Sequence, residues 1–382
     1  MAKGISPLIS TVIVIMMVVS AISMVLLIGR PTIDKATEAS VVNEALLNMK
    51  SIDSAIKEVA SEGVQSSRTV TFKVSDGNYK IVNDSGVLFE KELLQSVYSF
   101  NTITFDGDVK SAAGVNPLGL VGFWKFDEGS GSVANDSSGK KNDGTLNGFS
   151  DNAINWTTGK HENALQFDGV NDYVSIPDSN DWYFGSSHFT IDFWVRFNAL
   201  PTGYGSFEIV GQRVDANNRY TFDLYNSATD TYQWYLYVVV NSTVTINVYR
   251  TTTVTTGSWY HVAYVRTGSN FKIFQNGIQL GSDVTDADEM PDLATPMFIG
   301  ATSALSQYMN GWLDDLHIYH RSLSAGEVRD DYISDSKHYY VAIDYDRIQI
   351  VGTDTFQKGI QKLCVQKIGE TGNKAVVEVT TC

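Results

Sequence analysis

The sequence predicts an α+β chain: a long N-terminal hydrophobic helix with a small antiparallel β headpiece, plus an inserted all-β sandwich. Three observations carry this reading. No side chain from Ile5 through Ile28 is charged. Short alternating strands lie on either side of residues 117–336. Between those flanks nearly every apolar segment alternates at period two, and turns recur.

Composition narrows the function classes. The 382 residues carry 28 Lys plus Arg against 43 Asp plus Glu, a formal charge of -15. A surface this acidic repels phosphate and lacks the basic footprint that counterion release requires, so nucleic acid is excluded as a partner. With 43% hydrophobic and 12% aromatic residues the chain can bury large cores and is not disordered. Its 31 Gly, 19 Tyr, 18 Phe and 7 Trp suit turn-rich β structure.

The first element is the uncharged run. As a helix, about 24 residues at 1.5 Å each reach roughly 36 Å, enough to cross a bilayer. A secretory signal has a shorter apolar part, about 7–15 residues, and ends in small residues, whereas this run ends at Gly29-Arg30-Pro31. From Asp34 to Glu62 the pattern stays helical, with Val42, Ala45, Met49, Ile52, Ile56 and Val59 on one stripe. That stripe packs either on a sheet of its own chain or on neighbouring helices. Pro31 is expected to bend the junction, because its ring clashes with the preceding turn.

The headpiece is read from 63–116 and 337–382. Arg68 to Val74, Tyr79 to Val82 and Val87 to Leu93 form a meander; Tyr339 to Tyr345, Arg347 to Val351, Lys362 to Ile368 and Ala375 to Thr380 form a second set. Neither set makes a core alone, so the two are expected to share one structure packed on the helix of 5–62. Cys364 and Cys382 flank the Glu370–Asn373 turn symmetrically, which places them opposite each other in a hairpin and predicts a disulfide. A disulfide survives outside the reducing cytosol. Sequons at Asn83, Asn135, Asn155 and Asn241 suit glycosylation of an exported protein.

In 117–336, alternation is plainest in Thr190–Phe197, Trp259–Val265 and Phe271–Phe274. Asn276-Gly277 supplies the two positive φ angles of a two-residue hairpin turn. Many strands and few helices argue for a two-sheet sandwich.

Two resemblances sharpen this reading. Met1-Ala2-Lys3-Gly4, followed by Ile5-Ser6-Pro7-Leu8-Ile9, resembles the class III signal of archaeal type IV pilins. It implies a leader of residues 1–4, cleavage between Gly4 and Ile5, storage of the helix in the membrane, and later bundling of many copies into a filament. A plain N-terminal membrane anchor has much the same residues. Gly119–Gly131, Asp136–Gly139, Asn142–Leu146, Ala164–Gly169, Asp172–Val174, Trp259–Ala263 and Trp312–Tyr319 resemble, in order, a LamG-like, concanavalin A-like jelly roll.

The jelly-roll resemblance implies a calcium ion at the sandwich rim. Its ligands would come from Asp168, Asn171 and Asp172 and from Asp314 and Asp315. Strand alternation allows at most one of the last two to serve. For sugar binding, aromatic platforms are expected among Tyr204, Tyr232, Trp234, Tyr235, Tyr237 and Tyr249. Tyr232 and Trp234 share one strand face and Tyr235 and Tyr237 the other, and the spacing leaves open which pair faces outward. No E-x-D-x-x-E run and no G-x-S-x-G elbow occurs, so the chain is expected not to be an enzyme.

The expected function is therefore a structural subunit of an extracellular, type IV pilus-like filament. Its helices would form the core of a homo-oligomer, and an outward LamG-like domain would serve adhesion or carbohydrate binding. A non-polymerising, membrane-anchored surface lectin is the alternative.

Overall fold

The stripe read from the sequence becomes the buried face of a helix, Arg30–Ser61. In the computed structural model, which describes residues 15–20, 23, 30–93, 103–149, 155–228, 231–301, 307–333, 338–352, 354–356 and 358–382, Val42, Ala45, Met49, Ile52, Ile56 and Val59 are all buried. They pack on strands of their own chain, Ser67–Val74, His338–Asp344, Gly359–Thr371 and Lys374–Thr381. Pro31 is the second residue of that helix. The bend expected before it, the leader junction at Gly4 and Ile5, and most of the Ile5–Ile28 run lie outside the described residues. Residues 15–20 and 23 are helical and exposed. Among the described residues, no helix is long and apolar enough to cross a membrane.

The chain divides into two units. The first comprises 1–101, 111–115 and 337–382, and the second 102–110 and 116–336. In the first unit a four-stranded sheet runs in the order Ser67–Val74, Gly359–Thr371, Lys374–Thr381, Ile348–Val351. Ser67–Val74 pairs antiparallel with Gly359–Thr371, so segments from the two ends of the chain complete one sheet. A second sheet pairs Gly86–Glu92 with both Asn78–Val82 and His338–Asp344. The disulfide joins Cys364 to Cys382 and ties the last strand to its neighbour.

The second unit is a two-sheet sandwich. One sheet of nine strands is centred on Trp259–Thr267, Phe189–Phe197, Asn310–Tyr319 and Asn163–Asp168. The facing sheet of eight runs Thr243–Thr252, Thr231–Val240, Asn218–Ala228, Ser206–Asp215, Met297–Ile299, Tyr173–Ile176, Gly144–Asn147, Val133–Ala134. Inward residues of both sheets, among them Phe167, Phe193, Ile191, Phe222 and Trp234, make one continuous apolar core. Each fully buried side chain of this size contributes roughly 1.5–3 kcal/mol. Asn276 at φ 52° and Gly277 at φ 72° close the hairpin that places Gln275 opposite Ile278.

A short helix, Ala325–Ile333, follows the last strand of the nine-stranded sheet. Its Tyr332 ring stacks on Trp194 at 5.7 Å, which seats the helix on the outer face of that sheet.

Candidate functional site: the outer face of the eight-stranded sheet

Four neighbouring strands build this face. Alternation in Asn218–Ala228 and Thr231–Val240 sends Phe222, Leu224, Tyr232, Trp234 and Leu236 into the core. Their sequence neighbours Asp223, Tyr225, Tyr235 and Tyr237 consequently point the other way. Of the two pairs that the spacing left open, Tyr232 and Trp234 are core residues, and Tyr235 and Tyr237 lie half-buried on the outer face. Tyr204 is exposed in a loop and belongs to neither.

The rings form an ordered platform. Tyr235 stacks on Tyr225 at 5.6 Å and on Tyr237 at 5.4 Å, and meets Tyr249 edge-on at 5.8 Å. Tyr249 is 44% exposed. The Arg219 guanidinium lies 5.2 Å from the Tyr237 ring centroid. Such flat, amphipathic surfaces accept the apolar faces of sugar rings and keep hydroxyls near the edges for hydrogen bonding.

Register adds what the sequence did not reveal. Glu208 is opposite Asp223, Asp223 is opposite Tyr235, and Tyr235 is opposite Tyr249. One transverse row thus runs from two carboxyls into two tyrosines. Both acids are 6% exposed. Thr221 Oγ1–H donates to Asp223 Oδ2 at 3.0 Å, while Asp223 Oδ1 is buried without a hydrogen-bond partner. Arg213 Nη1 lies 3.7 Å from Glu208 Oε1. Burial pushes Glu208 up to about 7, against the pull of Arg213 and Arg219. Burial, reinforced by the Glu208 charge, holds Asp223 well above the usual carboxylate range. The Tyr235 phenol is likewise pushed up to about 12, mainly by burial.

The five residues expected to hold calcium are not brought together. Asp168 is opposite Asn310, and Leu165 is opposite Leu313, so Asp168 and Asp314 lie at different levels of one strand pair. At the Asp168 end, Asp168 Oδ1 accepts the N–H of Val170 at 2.7 Å, Asp172 Oδ2 accepts the N–H of Asp168 at 2.9 Å, and Asn171 Nδ2 donates to the Gly148 carbonyl at 3.2 Å. The first two bonds form the turn, and the third ties it to the Gly148 loop. Burial raises Asp172 to about 6. Among the described residues no group of three or more His, Cys, Asp or Glu is placed to hold a metal ion. The five residues therefore do not form one calcium cage, which takes six to eight oxygens.

Asp314 and Asp315 also depart from the alternation argument. A bulge between the pairs Asp192/His317 and Trp194/Asp314 leaves Asp315 at φ 43°. Both carboxyls converge on one segment: Asp314 Oδ2 accepts the N–H groups of Lys160 and His161 at 2.7 and 2.9 Å, and Asp315 Oδ2 lies 2.6 Å from His161 Nδ1. An inserted residue re-aims a side chain that strict period two would send to the opposite face. Burial, followed by the Asp315 charge, raises Asp314 to about 9.

A second buried polar cluster went unread because its histidines are scattered in sequence. Asp192 Oδ1 lies 2.8 Å from His317 Nδ1 and 3.5 Å from His261 Nε2 on the outer face of the nine-stranded sheet. Burial works against the His317 cation, but the Asp192 carboxylate outweighs it and holds His317 at about 9. Among the sequons, Asn83, Asn135 and Asn241 are exposed and Asn155 is half-buried.

Comparison with known proteins agrees with the sandwich. Residues 168–329 match the family model described as the concanavalin A-like lectin/glucanases superfamily. No curated protein matches the chain. Among solved structures, domain 4 of AbnA, a GH43 extracellular arabinanase from Geobacillus stearothermophilus solved with arabinotriose, is 19% identical, with a TM-score of 0.43, over 56% of this chain and 98% of that one. The binding domain of botulinum neurotoxin serotype G is 16% identical, TM-score 0.43, over 56% of this chain and 51% of that one. Trypanosoma rangeli sialidase is 18% identical, TM-score 0.40, over 59% of this chain and 34% of that one.

The second unit thus carries a LamG-like, concanavalin A-like jelly roll. The expectation that the chain is not an enzyme is corrected. The superfamily whose model matches residues 168–329 is described as one of lectins and glucanases, so the fold gives no ground for that exclusion. The exclusion also rested on carboxylates sharing one strand, whereas Glu208 and Asp223 share a face across two strands. What the match supports is the fold that lectins and glucanases share.

Proposed function

We propose that the chain is a structural subunit of an archaeal type IV pilus-like surface filament, and that its jelly-roll unit binds carbohydrate through the outer face of the eight-stranded sheet. The observation that carries the binding role is the stacked tyrosine platform beside two buried carboxyls. A fold built only for packing has no use for four clustered rings on an outer face, since aromatic area is most stabilising when fully buried.

The filament role is supported by the Met1–Leu8 segment and by the uncharged Ile5–Ile28 run. A helix apolar all round is stable in lipid and equally stable among copies of itself, so one segment serves membrane storage and assembly. The Val42–Val59 stripe is already used within the chain, which leaves the leading run as the self-association element. The disulfide and the exposed sequons suit an extracellular location.

The test is to shear surface filaments from the native cell, identify this chain in them by mass, and sequence its N-terminus. Long filaments whose subunit begins at Ile5 support the proposal. Membrane-bound monomers that keep Met1 or Ala2 would favour the anchored-lectin reading.

A further inference from the structure

We propose that Glu208 and Asp223 form the hydrogen-bonding floor of the tyrosine face and make it selective for a neutral saccharide over an acidic one. This inference rests on the carbohydrate-binding reading given above and adds the ligand class and its dependence on pH.

The geometry is the transverse row. Directly opposed residues of an antiparallel pair have Cβ atoms about 4.5–5.5 Å apart, so the two carboxyls share one small region of the face. Like charges at that spacing are unfavourable, and burial makes them more so. The pair is therefore accommodated by keeping protons on it, and a protonated carboxyl is both a donor and an acceptor. Saccharide hydroxyls have the same dual character. Asp223 Oδ1 makes no hydrogen bond in the protein and Asp223 Oδ2 already accepts from Thr221. A buried polar atom without a partner is costly, and a ligand hydroxyl reaching it would recover that cost. The tyrosines continue the row on one side, so a sugar ring resting against the outer edge of Tyr235 lies next to Asp223.

An acidic sugar meets the opposite situation. Its carboxylate would approach two acids that must then both remain neutral, and ionisation of either repels it. The groups facing the pair from each packed element are Arg213 on the same strand as Glu208, Arg219 and Tyr225 beside Asp223, Tyr235 and Tyr237 on the next strand, and Tyr249 on the edge strand. From the facing sheet, the Tyr264 hydroxyl donates to the Asp223 carbonyl at 3.2 Å. On the other side, Met297–Ile299 brings no charge. Arg213 is engaged with Glu208. Glu208, at about 7, is the member that ionises first as pH rises, which removes a donor and adds a negative charge to the floor.

The experiment is affinity electrophoresis and titration calorimetry of the full chain, solubilised in a neutral detergent, against dextran, laminarin, xylan and arabinan as neutral polymers and polygalacturonate and alginate as acidic ones. At pH 6 a neutral polymer is expected to retard the chain and the acidic polymers are not. Raising the pH to 8.5 weakens neutral binding about tenfold, the scale of one lost hydrogen bond to a buried group. Glu208→Gln keeps shape and a donor, so it retains pH 6 binding and loses the pH dependence; this variant keeps the test decisive should Asp223→Ala fail to fold.

Preferential retardation by an acidic polymer, or unchanged pH dependence in Glu208→Gln, overturns the inference. If Tyr235→Ala abolishes neutral binding while Glu208→Ala and Asp223→Ala leave it intact, the floor is refuted and the carbohydrate reading stands. If no polymer of either class binds, both fall together.

Discussion

The indole N–H of Trp234 donates to Gln275 Oε1 across 2.6 Å and so links the eight-stranded sheet to the nine-stranded one. Trp234 is fully buried, whereas the next residue, Tyr235, lies on the outer face. Trp234→Ala is expected to lose about 3–5 kcal/mol, since it leaves a large cavity in the core. Tyr235→Ala should lose less, about 1–2 kcal/mol from its ring contacts, and affect ligand binding as well. Chemical denaturation of the two variants checks the contrast, and equal losses would place both residues in the core.

The Asp192–His317 pair predicts a dependence on pH. The folded-state pKa of His317 is raised above its ordinary value to about 9. Its contribution to stability is therefore fully present below about pH 6.5 and is lost as pH rises through 9. Asp314, also raised to about 9, adds a decline of the same sign that begins nearer pH 4. Melting temperature should fall between pH 6.5 and 9. His317→Gln should flatten that window, and Asp314→Asn should flatten the wider one. Asp192→Asn should cost about 3–5 kcal/mol below pH 6.5, where it strands a buried cation. A melting temperature that rises across this range contradicts the assignment.

Reduction of Cys364–Cys382 is expected to destabilise the first unit. The separation is 18 residues, and closing a loop of about that length stabilises by roughly 3 kcal/mol in the chain-entropy model. Hydrogen exchange on Gly359–Thr371 and Lys374–Thr381, with and without reductant, reads this directly. Protection in the sandwich should be unchanged.

Gly148→Ala should be strongly destabilising. Gly148 has φ +87°, and a Cβ there would lie 2.0 Å from the Asn171 carbonyl oxygen. Both the left-handed backbone and the clash with main chain oppose the substitution. The expected loss is more than about 2 kcal/mol, and a variant as stable as the parent would mean that this corner is built differently.

Calcium should leave stability unchanged. With Asp168 and Asp172 engaged in a turn, and with Asp314 and Asp315 gathered around Lys160 and His161, chelation is expected not to move the melting temperature. A loss of several degrees on chelation, absent in Asp168→Ala, would restore the calcium site.

Much of the architecture was legible because it depends on local periodicity. The Val42–Val59 stripe marked the helix face, alternation marked the strands, and Asn276-Gly277 marked a hairpin. The outward direction of Tyr235 and Tyr237 follows once Trp234 and Leu236 are known to be inward, but spacing alone cannot say which of two faces meets the other sheet. The Glu208–Asp223 pairing was not legible, for a definite reason. Starting from Asp215 opposite Asn218, simple hairpin counting would set Asp223 against Val210. Two irregularities, between Arg213 and Asp215 and between Glu208 and Val210, shift the register and bring Glu208 there instead. The bulge at Asp315 misled the reading of Asp314 in the same way. The Asp192–His317 contact joins residues 125 apart in sequence, with no motif linking them.

The pairing of Ser67–Val74 with Gly359–Thr371 bears on how the molecule is made. At synthesis rates of roughly 5–20 residues per second, the first of these strands waits roughly 15–60 s for its partner to leave the ribosome. The intervening jelly roll is synthesised within that interval, while the earlier strands present an unfinished edge. A protein built this way needs either protection of that edge by a chaperone or an export route that holds the nascent chain extended until Gly359–Thr371 arrives.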